Sequence, residues 1–409
     1  MKVVLVNKFN FLKGGADKYF LELSDLLKSQ GHEVIKFCMD NQKNIPDKNE
    51  KFFVSYVDKL QKGFINKLRY IGRMLYSFEA KKKFKALLME TKPDIIHIHN
   101  IYHQISPSIL TVAKKMGIPV IMHLHDYKLI SPNYLLFNDQ GIDTSSLPGK
   151  YYKCFLKKSF NNSYSQSFLV MIEMYFHHRI LKIYEKNILY YCAPSLFIKN
   201  LMISSGIPAS KIMYLPYFVK GIEVDEPDYH IGKYFVFYGR LEKEKGVNIL
   251  LEAISLVPEA RVKIIGDGKE KKSMEKLSIK LGLQNRVEFS QALYNEDLKN
   301  EIRRSMAVIT PSVWYEVFGL VNVEAAALGK LVIASDIGGI KESVVAGKSA
   351  WLFTVGDARS LADLLSRAIE NPADVMLAGK EGRKFVLEHF TASQHWLLLK
   401  KIYEQALLQ

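Results

Sequence analysis

Short apolar segments alternate with amphipathic helical segments along this 409-residue chain, and the alternation starts twice. Apolar runs of this length predict buried strands, and buried strands separated by helices form parallel sheets that are covered on both faces. The sequence therefore predicts an α/β protein with two doubly wound, Rossmann-like domains. The predicted strands are 3–6, 34–38, 53–57, 95–99, 120–125 and 189–193 in the first half, and 234–238, 262–265, 287–289, 307–310 and 331–334 in the second.

A segment that contains Pro216, Gly221 and Pro227 lies between the two alternations, and these residues predict a linker. The N-terminal domain is accordingly predicted over residues 1–216 and the C-terminal domain over residues 217–386. Residues 130–165 interrupt the first alternation with several Pro, Gly, Asn and Ser residues, which predict a long loop.

The net charge of +15 arises entirely in the first half of the chain. Residues 1–216 contain 31 Lys and Arg against 16 Asp and Glu, whereas residues 217–409 contain 26 of each. Because the excess positive charge is confined to the first half, it predicts an anionic partner for that half, either a membrane surface or a nucleic acid.

Cysteine content and hydropathy predict a cytoplasmic protein. The three cysteines are widely spaced and form neither a disulfide framework nor a zinc pattern, which fits a reducing compartment. The first residues have too short an apolar run for a signal peptide. No run of about 18 apolar residues occurs, so no transmembrane helix is expected.

Two carboxylates stand eight residues apart in the segment PSVWYEVFGLVNVEAAALGKLVIASDIGGIKE, from Pro311 to Glu342. Glu316 is predicted to lie in a loop after a strand, and Glu324 about one turn inside the next helix. Both would lie at the carboxyl edge of a parallel sheet, where open α/β folds bind ligands. Free backbone amides at the helix start would suit phosphate or sugar oxygens. These amides belong to Phe318, Gly319 and Leu320.

This segment resembles the retaining glycosyltransferases of family 4, which have the GT-B fold. The resemblance rests on Pro-Ser, Phe-Gly-Leu, Glu-Ala and Gly338-Gly339 at the family's offsets from the two glutamates. It implies two Rossmann-like domains that face each other across a cleft, with the C-terminal helix, 387–409, completing the first domain. It also implies a UDP- or GDP-sugar donor, with Glu316 and amides 318–320 on the sugar and Glu324 on the ribose.

A basic loop, GRLEKEKG, follows the first predicted strand of the second half, from Gly239 to Gly246. Arg240 offers a planar fork of donors and Lys245 a point charge. Two fixed cations would stabilise the charge that develops on a departing diphosphate. The loop also matches the family pattern Gly-Arg-Leu…Glu-Lys-Gly. Taken alone, the loop could equally be an ordinary basic surface turn.

No bound metal or other cofactor is expected. The chain lacks the Asp-x-Asp pattern of a metal–diphosphate site, and basic residues would take the role of the metal. Many relatives carry a cysteine cluster in the 130–165 region, whereas this chain has only Cys154 there.

Three further segments resemble family motifs. Gly266 and Asp267 follow a predicted strand and, in the family, line the nucleotide pocket, although such turns also serve only for packing. Gly15 opens the first helix and would lie under the donor phosphates, with a plain turn as the alternative. His125, in His-Asp-Tyr, matches the family residue that hydrogen-bonds the transferred sugar. His97 and His123 are expected to point to the opposite strand face and to pack in the core.

A basic stretch from residue 59 to residue 85 contains nine Lys and Arg and one acid, Glu79. Its apolar residues keep helical spacing, so it predicts either an interfacial helix on an anionic membrane or an ordinary helix with a core face. With the resemblance, this favours a peripheral enzyme at the cytoplasmic face of the cell membrane.

Together these features predict a retaining glycosyltransferase that transfers a sugar to a hydroxyl of a glycan or lipid-linked acceptor in surface polysaccharide biosynthesis. One alternative is a GT-B nucleotide-sugar epimerase. Another is a non-enzymatic basic protein that binds membranes or nucleic acid, but no recognised nucleic-acid module occurs and no nucleic acid partner is expected.

Overall fold

Two parallel six-stranded sheets organise the chain. The computed structural model describes residues 1–57 and 64–409, without the side chains of residues 64–67 and 69. The first sheet has the order β2-β1-β3-β4-β7-β8, the second has the order β11-β10-β9-β12-β13-β14, and β5 and β6 form a small antiparallel pair. The strands are β1 (Lys2–Val6), β2 (Glu33–Phe37), β3 (Ile95–Ile98), β4 (Val120–His123), β5 (Phe137–Asn138), β6 (Gly141–Ile142), β7 (Tyr190–Ala193), β8 (Ile212–Tyr214), β9 (Phe235–Tyr238), β10 (Val262–Ile265), β11 (Val287–Ser290), β12 (Ala307–Thr310), β13 (Leu331–Ser335) and β14 (Ala350–Phe353).

Helices separate most consecutive strands of both sheets, which is the doubly wound arrangement. No helix of the described residues combines the length and apolar character needed to cross a membrane. The first-half helices are α1 (Gly15–Ser29), α2 (Phe64–Leu75), α3 (Phe78–Thr91), α4 (Tyr102–Ile105), α5 (Leu110–Lys115), α6 (Tyr152–Leu156), α7 (Tyr164–Tyr175), α8 (Ile183–Asn187) and α9 (Leu196–Ser204). The second-half helices are α10 (Val247–Leu256), α11 (Lys271–Lys280), α12 (Asn295–Arg303), α13 (Leu320–Ala327), α14 (Ile340–Ser343), α15 (Ala358–Glu370), α16 (Pro372–His389) and α17 (Ala392–Leu407).

The C-terminal helix α17 packs on the first sheet. Its Tyr403 hydroxyl lies 3.0 Å from Nδ1 of His97 on β3. Its His395 Nε2 lies 3.1 Å from the Tyr19 hydroxyl on α1. Leu399 is fully buried in the same apolar cluster as the first-sheet strands. The last helix therefore supplies part of the core of the N-terminal half.

The predicted strand 53–57 is wrong. Val54 forms only an isolated bridge with Met39. The Ser55 amide and hydroxyl bind the Glu79 carboxylate at 2.8 and 2.7 Å. Because these polar groups bind a helix side chain, the segment does not continue as a strand.

The basic stretch 59–85 is not one continuous helix. Helices α2 and α3 meet at Ser77, whose hydroxyl accepts a hydrogen bond from the Ala80 amide at 3.1 Å and so caps α3. Residues 58–63 lie outside the described residues, and with them part of the predicted membrane helix.

Candidate active site

The predicted loop between β12 and α13 is held in place by the turn at Gly338 and Gly339. The Gly339 amide donates to the Glu316 carbonyl at 2.7 Å. A Cβ atom on Gly339 would lie 2.4 Å from the Val317 carbonyl oxygen, so a larger residue could not stand there without displacing the loop. Gly319 precedes α13 with a φ of 99°, which glycine adopts readily. These contacts explain why Gly-Gly accompanies the two glutamates.

Glu316 is buried and bound to a cation. Its Oε1 accepts hydrogen bonds from Lys245 Nζ at 2.7 Å and from the Ser312 hydroxyl at 2.6 Å. Burial alone would raise the pKa of Glu316, but Lys245 and the Ser312 hydrogen bond bring it below its usual value. Lys245 also lies 5.3 Å from the centre of the Trp314 ring. Glu316 is therefore an anion with a fixed orientation. Such a carboxylate can accept hydrogen bonds from sugar hydroxyls, which is the role predicted for it.

Arg240 lies in the same basic loop but faces solvent. Its guanidinium is bound to Glu244 Oε1 at 3.0 Å, and its side chain is 53% exposed. Glu244 is buried and its carbonyl accepts a hydrogen bond from the Val313 amide at 2.9 Å. The basic loop is thus tied to the segment before Glu316, while the Arg240 fork remains accessible to a ligand.

Glu324 lies in α13, one turn after its start, and joins the two halves of the molecule. Its Oε1 lies 2.5 Å from Lys18 Nζ of α1, and its Oε2 accepts from the Tyr238 hydroxyl at 3.0 Å. Burial would lower the pKa of Lys18, but Glu324 and Glu22 raise it above its usual value. Burial, together with nearby Glu324, raises the pKa of Glu22 to about 7 despite Lys18.

Gly15 lies next to Leu320 across the cleft. A Cβ atom on Gly15 would lie 3.6 Å from the Leu320 Cδ1 atom. The start of α1 therefore approaches the start of α13, and the structure brings together the predicted Gly15, Leu320 and Glu324.

Gly266 and Asp267 serve the packing of two loops. A Cβ atom on Gly266 would lie 1.9 Å from the Gly239 carbonyl oxygen. The Asp267 carbonyl accepts from the Leu241 amide at 2.9 Å, and the exposed Asp267 carboxylate accepts from the Gly268 amide at 2.8 Å. The turn therefore supports the loop that carries Arg240, and nothing in these contacts requires a ligand.

His125 belongs to a histidine stack made of His97, His99, His123 and His125. The ring centres of His97 and His99 are 4.8 Å apart, and those of His123 and His125 are also 4.8 Å apart. His125 Nε2 lies 2.9 Å from His99 Nδ1, and His125 Nδ1 lies 2.7 Å from the Tyr217 hydroxyl. Burial, and then Lys8, lowers the pKa of His125 to about 3. At neutral pH this imidazole is uncharged.

The expectation that His97 and His123 face away from the other two histidines is wrong. Residues two apart in a strand point to the same face, so His97 must share its face with His99 and His123 with His125. All four rings consequently stack. Three described atoms, from His97, His123 and the buried Cys192, lie within 4.8 Å of one another and could ligate a metal ion. This group lies beneath the sheet edge, within the core that α17 covers.

Further contacts cross between the two halves. The Ser195 hydroxyl, at the start of α9, donates to the Val317 carbonyl at 2.6 Å. The Glu342 carboxylate of α14 accepts from the first two amides of α9, those of Leu196 at 2.6 Å and Phe197 at 2.7 Å. These bonds join the loop around Glu316 to a helix of the N-terminal half.

Sequence reasoning assigned no individual role to four residues that complete the site, although three of them lie in the motifs that it used. Lys18 and Ser312 bind the two predicted glutamates, Glu342 caps α9, and the Tyr127 hydroxyl donates to the Tyr315 carbonyl at 2.9 Å. Ser312 lies four residues before Glu316, and this proximity was the available signal. Lys18 lies 306 residues from Glu324, so pattern and spacing could not connect them.

Two family models cover most of the chain. The model described as Glycosyltransferase Family 4 matches residues 13–220, just over half of the chain. The model described as Glycosyl transferases group 1 matches residues 224–385. The chain belongs to glycosyltransferase family 4. It is a glycosyltransferase, and its two sheets form the GT-B fold, as the sequence predicted.

Similar proteins match this chain over most of its length. A protein of Klebsiella pneumoniae named as an uncharacterised 42.6 kDa protein in the cps region is 27% identical over 84% of this chain and 87% of its own. Sucrose-phosphate synthase from Thermosynechococcus elongatus has a TM-score of 0.74 at 20% identity, over 99% of this chain and 98% of that one. Anabaena HepE in complex with UDP-glucose has a TM-score of 0.68 at 18% identity, over 99% and 100%. These solved structures share the fold.

Proposed function

We propose that this protein is a retaining glycosyltransferase that moves a sugar from a nucleoside-diphosphate donor to a hydroxyl of an acceptor. The observation that carries the proposal is the convergence of Lys245, Glu316, Glu324 and the start of α13 at one sheet edge. Gly15 and Lys18 of the other half face this edge across the cleft. Cations, carboxylates and free helix amides in one place suit a ligand with a diphosphate and many hydroxyls.

The donor diphosphate would bind Arg240 and Lys245. In this structure each cation is bound to a carboxylate, Arg240 to Glu244 and Lys245 to Glu316. A diphosphate would exchange these bonds for charge-assisted bonds to its own oxygens. As the bond to the sugar breaks, negative charge grows on the leaving phosphate, and both cations then bind more strongly.

The two glutamates would hold the sugar and the ribose. Glu316 lies beside Lys245, so its carboxylate would accept hydrogen bonds from hydroxyls of the sugar that is attached to the diphosphate. Glu324 lies at the neighbouring helix turn, where the ribose hydroxyls would replace Lys18 as its partner. His125, uncharged because its pKa is about 3, would exchange its bond to His99 or to Tyr217 for one to the sugar and carry no proton away.

Retention of configuration follows from attack on the face that the diphosphate leaves. The acceptor oxygen forms the new bond to the sugar carbon while the bond to the phosphate oxygen breaks. The hydroxyl proton passes to the departing phosphate, so no protein nucleophile is needed. Glu316 is held by Lys245 and Ser312, an arrangement that suits binding rather than covalent attack.

A UDP-sugar donor is favoured by the similar fold of Anabaena HepE, which was solved with UDP-glucose. We assign the acceptor to the class of glycans or lipid-linked glycans used in surface polysaccharide biosynthesis. The enzyme would act at the cytoplasmic face of the cell membrane, where the excess positive charge of residues 1–216 suits an anionic surface.

The test is binding and hydrolysis of a panel of UDP-, GDP- and ADP-sugars in the presence of EDTA. The wild type is compared with Arg240→Ala and Glu324→Ala, and with Lys243→Ala as a control from the same loop. We expect one donor to bind the wild type and the control, and binding to be lost in the other two variants. Failure of every donor to bind the folded wild type would exclude the proposal, and an epimerised donor as the product would favour the epimerase.

A further inference from the structure

Helices α6 and α7 carry a row of exposed apolar side chains, which we name the α6–α7 face. Their exposed fractions run from 40% to 62%. Along α7 they recur every four residues, so they share one side of the helix. The α6–α7 face consists of Tyr152, Leu156, Tyr164, Phe168 and Ile172.

The α6–α7 face is continuous across the two helices. The ring of Phe155, on α6, lies 5.6 Å from the rings of both Tyr164 and Phe168, on α7. Lys158 Nζ lies 4.4 Å from the centre of the Tyr164 ring. Apolar and aromatic side chains therefore form one surface with cationic groups directly beside them.

Lysines outnumber acids around this face, and Lys157 lies 3.4 Å from the carboxylate of Asp143. Residues 144–172 contain four lysines and no Asp or Glu. Exposed aromatic and aliphatic side chains surrounded by lysines are typical of surfaces that lie in the headgroup region of an anionic bilayer. The lysines are Lys150, Lys153, Lys157 and Lys158.

The opposite side of α7 is anchored at the carboxyl edge of the first sheet. Glu173 is fully buried and accepts from Lys128 Nζ at 2.7 Å, and its Oε2 lies 3.0 Å from His103 Nε2. Lys128 follows β4 and His103 follows β3, so both stand where the first-sheet strands end beside the cleft. Burial alone would raise the pKa of Glu173, but the charges of His103 and Lys128 lower it well below its usual value. The α6–α7 face is therefore presented by a rigid element beside the site.

In the described part of the basic stretch 59–85, three cations bind groups of the protein, whereas around the α6–α7 face Lys157 is bound to Asp143. Arg73 is buried and bound to Glu79. Lys81 donates to the Tyr76 hydroxyl, and Lys83 donates to the Phe53 carbonyl. Three of its cations thus bind groups of the protein itself.

We propose that the α6–α7 face docks this enzyme on an anionic lipid bilayer and so places the cleft beside a lipid-linked acceptor. The role in acceptor delivery rests on the proposed function, whereas binding to the bilayer does not. The occupant is lipid rather than a second copy of the chain, because the lysines around the face would repel the same lysines of a second copy.

The experiment is flotation of the full-length protein with phosphatidylcholine vesicles, with and without phosphatidylglycerol. The wild type should bind the anionic vesicles, less at raised salt. The affinity of the triple variant Leu156→Gln, Phe168→Gln, Ile172→Gln for these vesicles should be lower by a factor of at least about ten, because the apolar anchors are lost. The double variant Lys150→Gln, Lys153→Gln should lose most of its preference for anionic vesicles.

Control variants of the same size replace exposed apolar residues and exposed lysines elsewhere. Phe78→Gln, Met89→Gln, Leu397→Gln matches the apolar triple, and Lys82→Gln, Lys85→Gln matches the charge double. Both controls should bind as the wild type does. The proposal is overturned if the wild type ignores anionic vesicles, or if the apolar triple binds as well as its control. It is also overturned if sedimentation shows a wild-type dimer that the apolar triple abolishes, since the face would then bind a second copy.

Donor binding by the same proteins in vesicle-free solution separates this proposal from the function. The apolar triple should bind the nucleotide-sugar as the wild type does, which also shows that it is folded. If vesicles bind the α6–α7 face but no donor binds, the proposed function fails and the docking surface stands. If donors bind and vesicles do not, the docking surface fails and the function stands.

Discussion

The two sheets of this glycosyltransferase have related topologies, yet their carboxyl edges carry opposite chemistry. At the second sheet, the edge holds ion pairs, Lys245 with Glu316 and Arg240 with Glu244. At the first sheet, the strand ends carry the histidine stack, in which burial lowers the pKa of both His97 and His125 to about 3. The second edge thus presents charged side chains, whereas the histidines of the first edge are uncharged at neutral pH and Lys128, at the same edge, is bound to the buried Glu173.

This difference indicates a division of labour across the cleft. The charged edge can stabilise a diphosphate, whose charge changes during the reaction. The uncharged imidazoles of the first edge can share hydrogen bonds with sugar hydroxyls. Under the proposed function, the same fold would support two roles because a few residues at the strand ends differ.

The largest expected effect comes from removing a cation of the charged edge. Lys245→Gln should lower kcat/KM by about 10²- to 10³-fold, because the leaving diphosphate loses a fixed charge and Glu316 loses its partner. Steady-state kinetics with the identified donor measures this. Lys243→Gln, two residues away, should retain wild-type activity. Equal losses in both variants would show that the loop acts only through its shape.

The second effect tests the uncharged state of the buried histidines. Burial lowers the pKa of His395 to about 4, although the Pro216 carbonyl opposes this. Below the unfolded-state pKa of about 6.5, the unfolded chain binds a proton that the folded chain does not. Stability therefore falls as pH drops from about 6.5 to 4, by about 1.4 kcal/mol per pH unit for this histidine.

The free energy of unfolding of His395→Gln should fall less steeply over the same pH range, and the difference should correspond to about one bound proton. Urea unfolding at several pH values measures this difference. Comparison of variant with wild type removes the opposite trend of Glu22, whose pKa of about 7 favours the folded state in acid. Parallel pH profiles for the two proteins would mean that His395 is already protonated when folded.

The smallest effects concern two ion pairs that cross the cleft. Lys18 and Glu324 are partly buried, whereas Lys243 and Asp139, 2.7 Å apart, are both more than half exposed. Double-mutant cycles with Gln and Asn should give a coupling of about 1 kcal/mol for the first pair and under about 0.5 kcal/mol for the second. Thermal unfolding under one set of conditions measures both. A stronger coupling for the exposed pair would contradict the expected effect of burial.

The fold was largely predictable because strand and helix periodicity is local. Strands of the second half were found from apolar runs such as 262–265. Strand β14 (Ala350–Phe353) was missed, although its Trp and Phe are residue types that favour strands. Strand β8 (Ile212–Tyr214) was missed because three residues give too short a signal.

The site was predictable in its residues and less so in its partners. The chemistry of Arg240, Lys245 and the two glutamates could be read from residue type and spacing, and their functional roles remain predictions. The partners Lys18 and Glu342 come from elements far away in the chain, and only the folded structure brings them to the cleft. Local sequence contains no information on such pairs.

The α9 start has a thermodynamic consequence for domain motion. Helix α9 begins at Leu196 and is capped by the Ser195 hydroxyl, and its Leu196 and Phe197 amides donate to Glu342 from the other half. If the halves separate, these amides lose that carboxylate, and the loss of a helix cap costs about 1 kcal/mol. Opening of the enzyme would then be coupled to fraying of the start of α9, which binds the loop around Glu316. Residues that never touch a substrate could in this way set how often the cleft admits one.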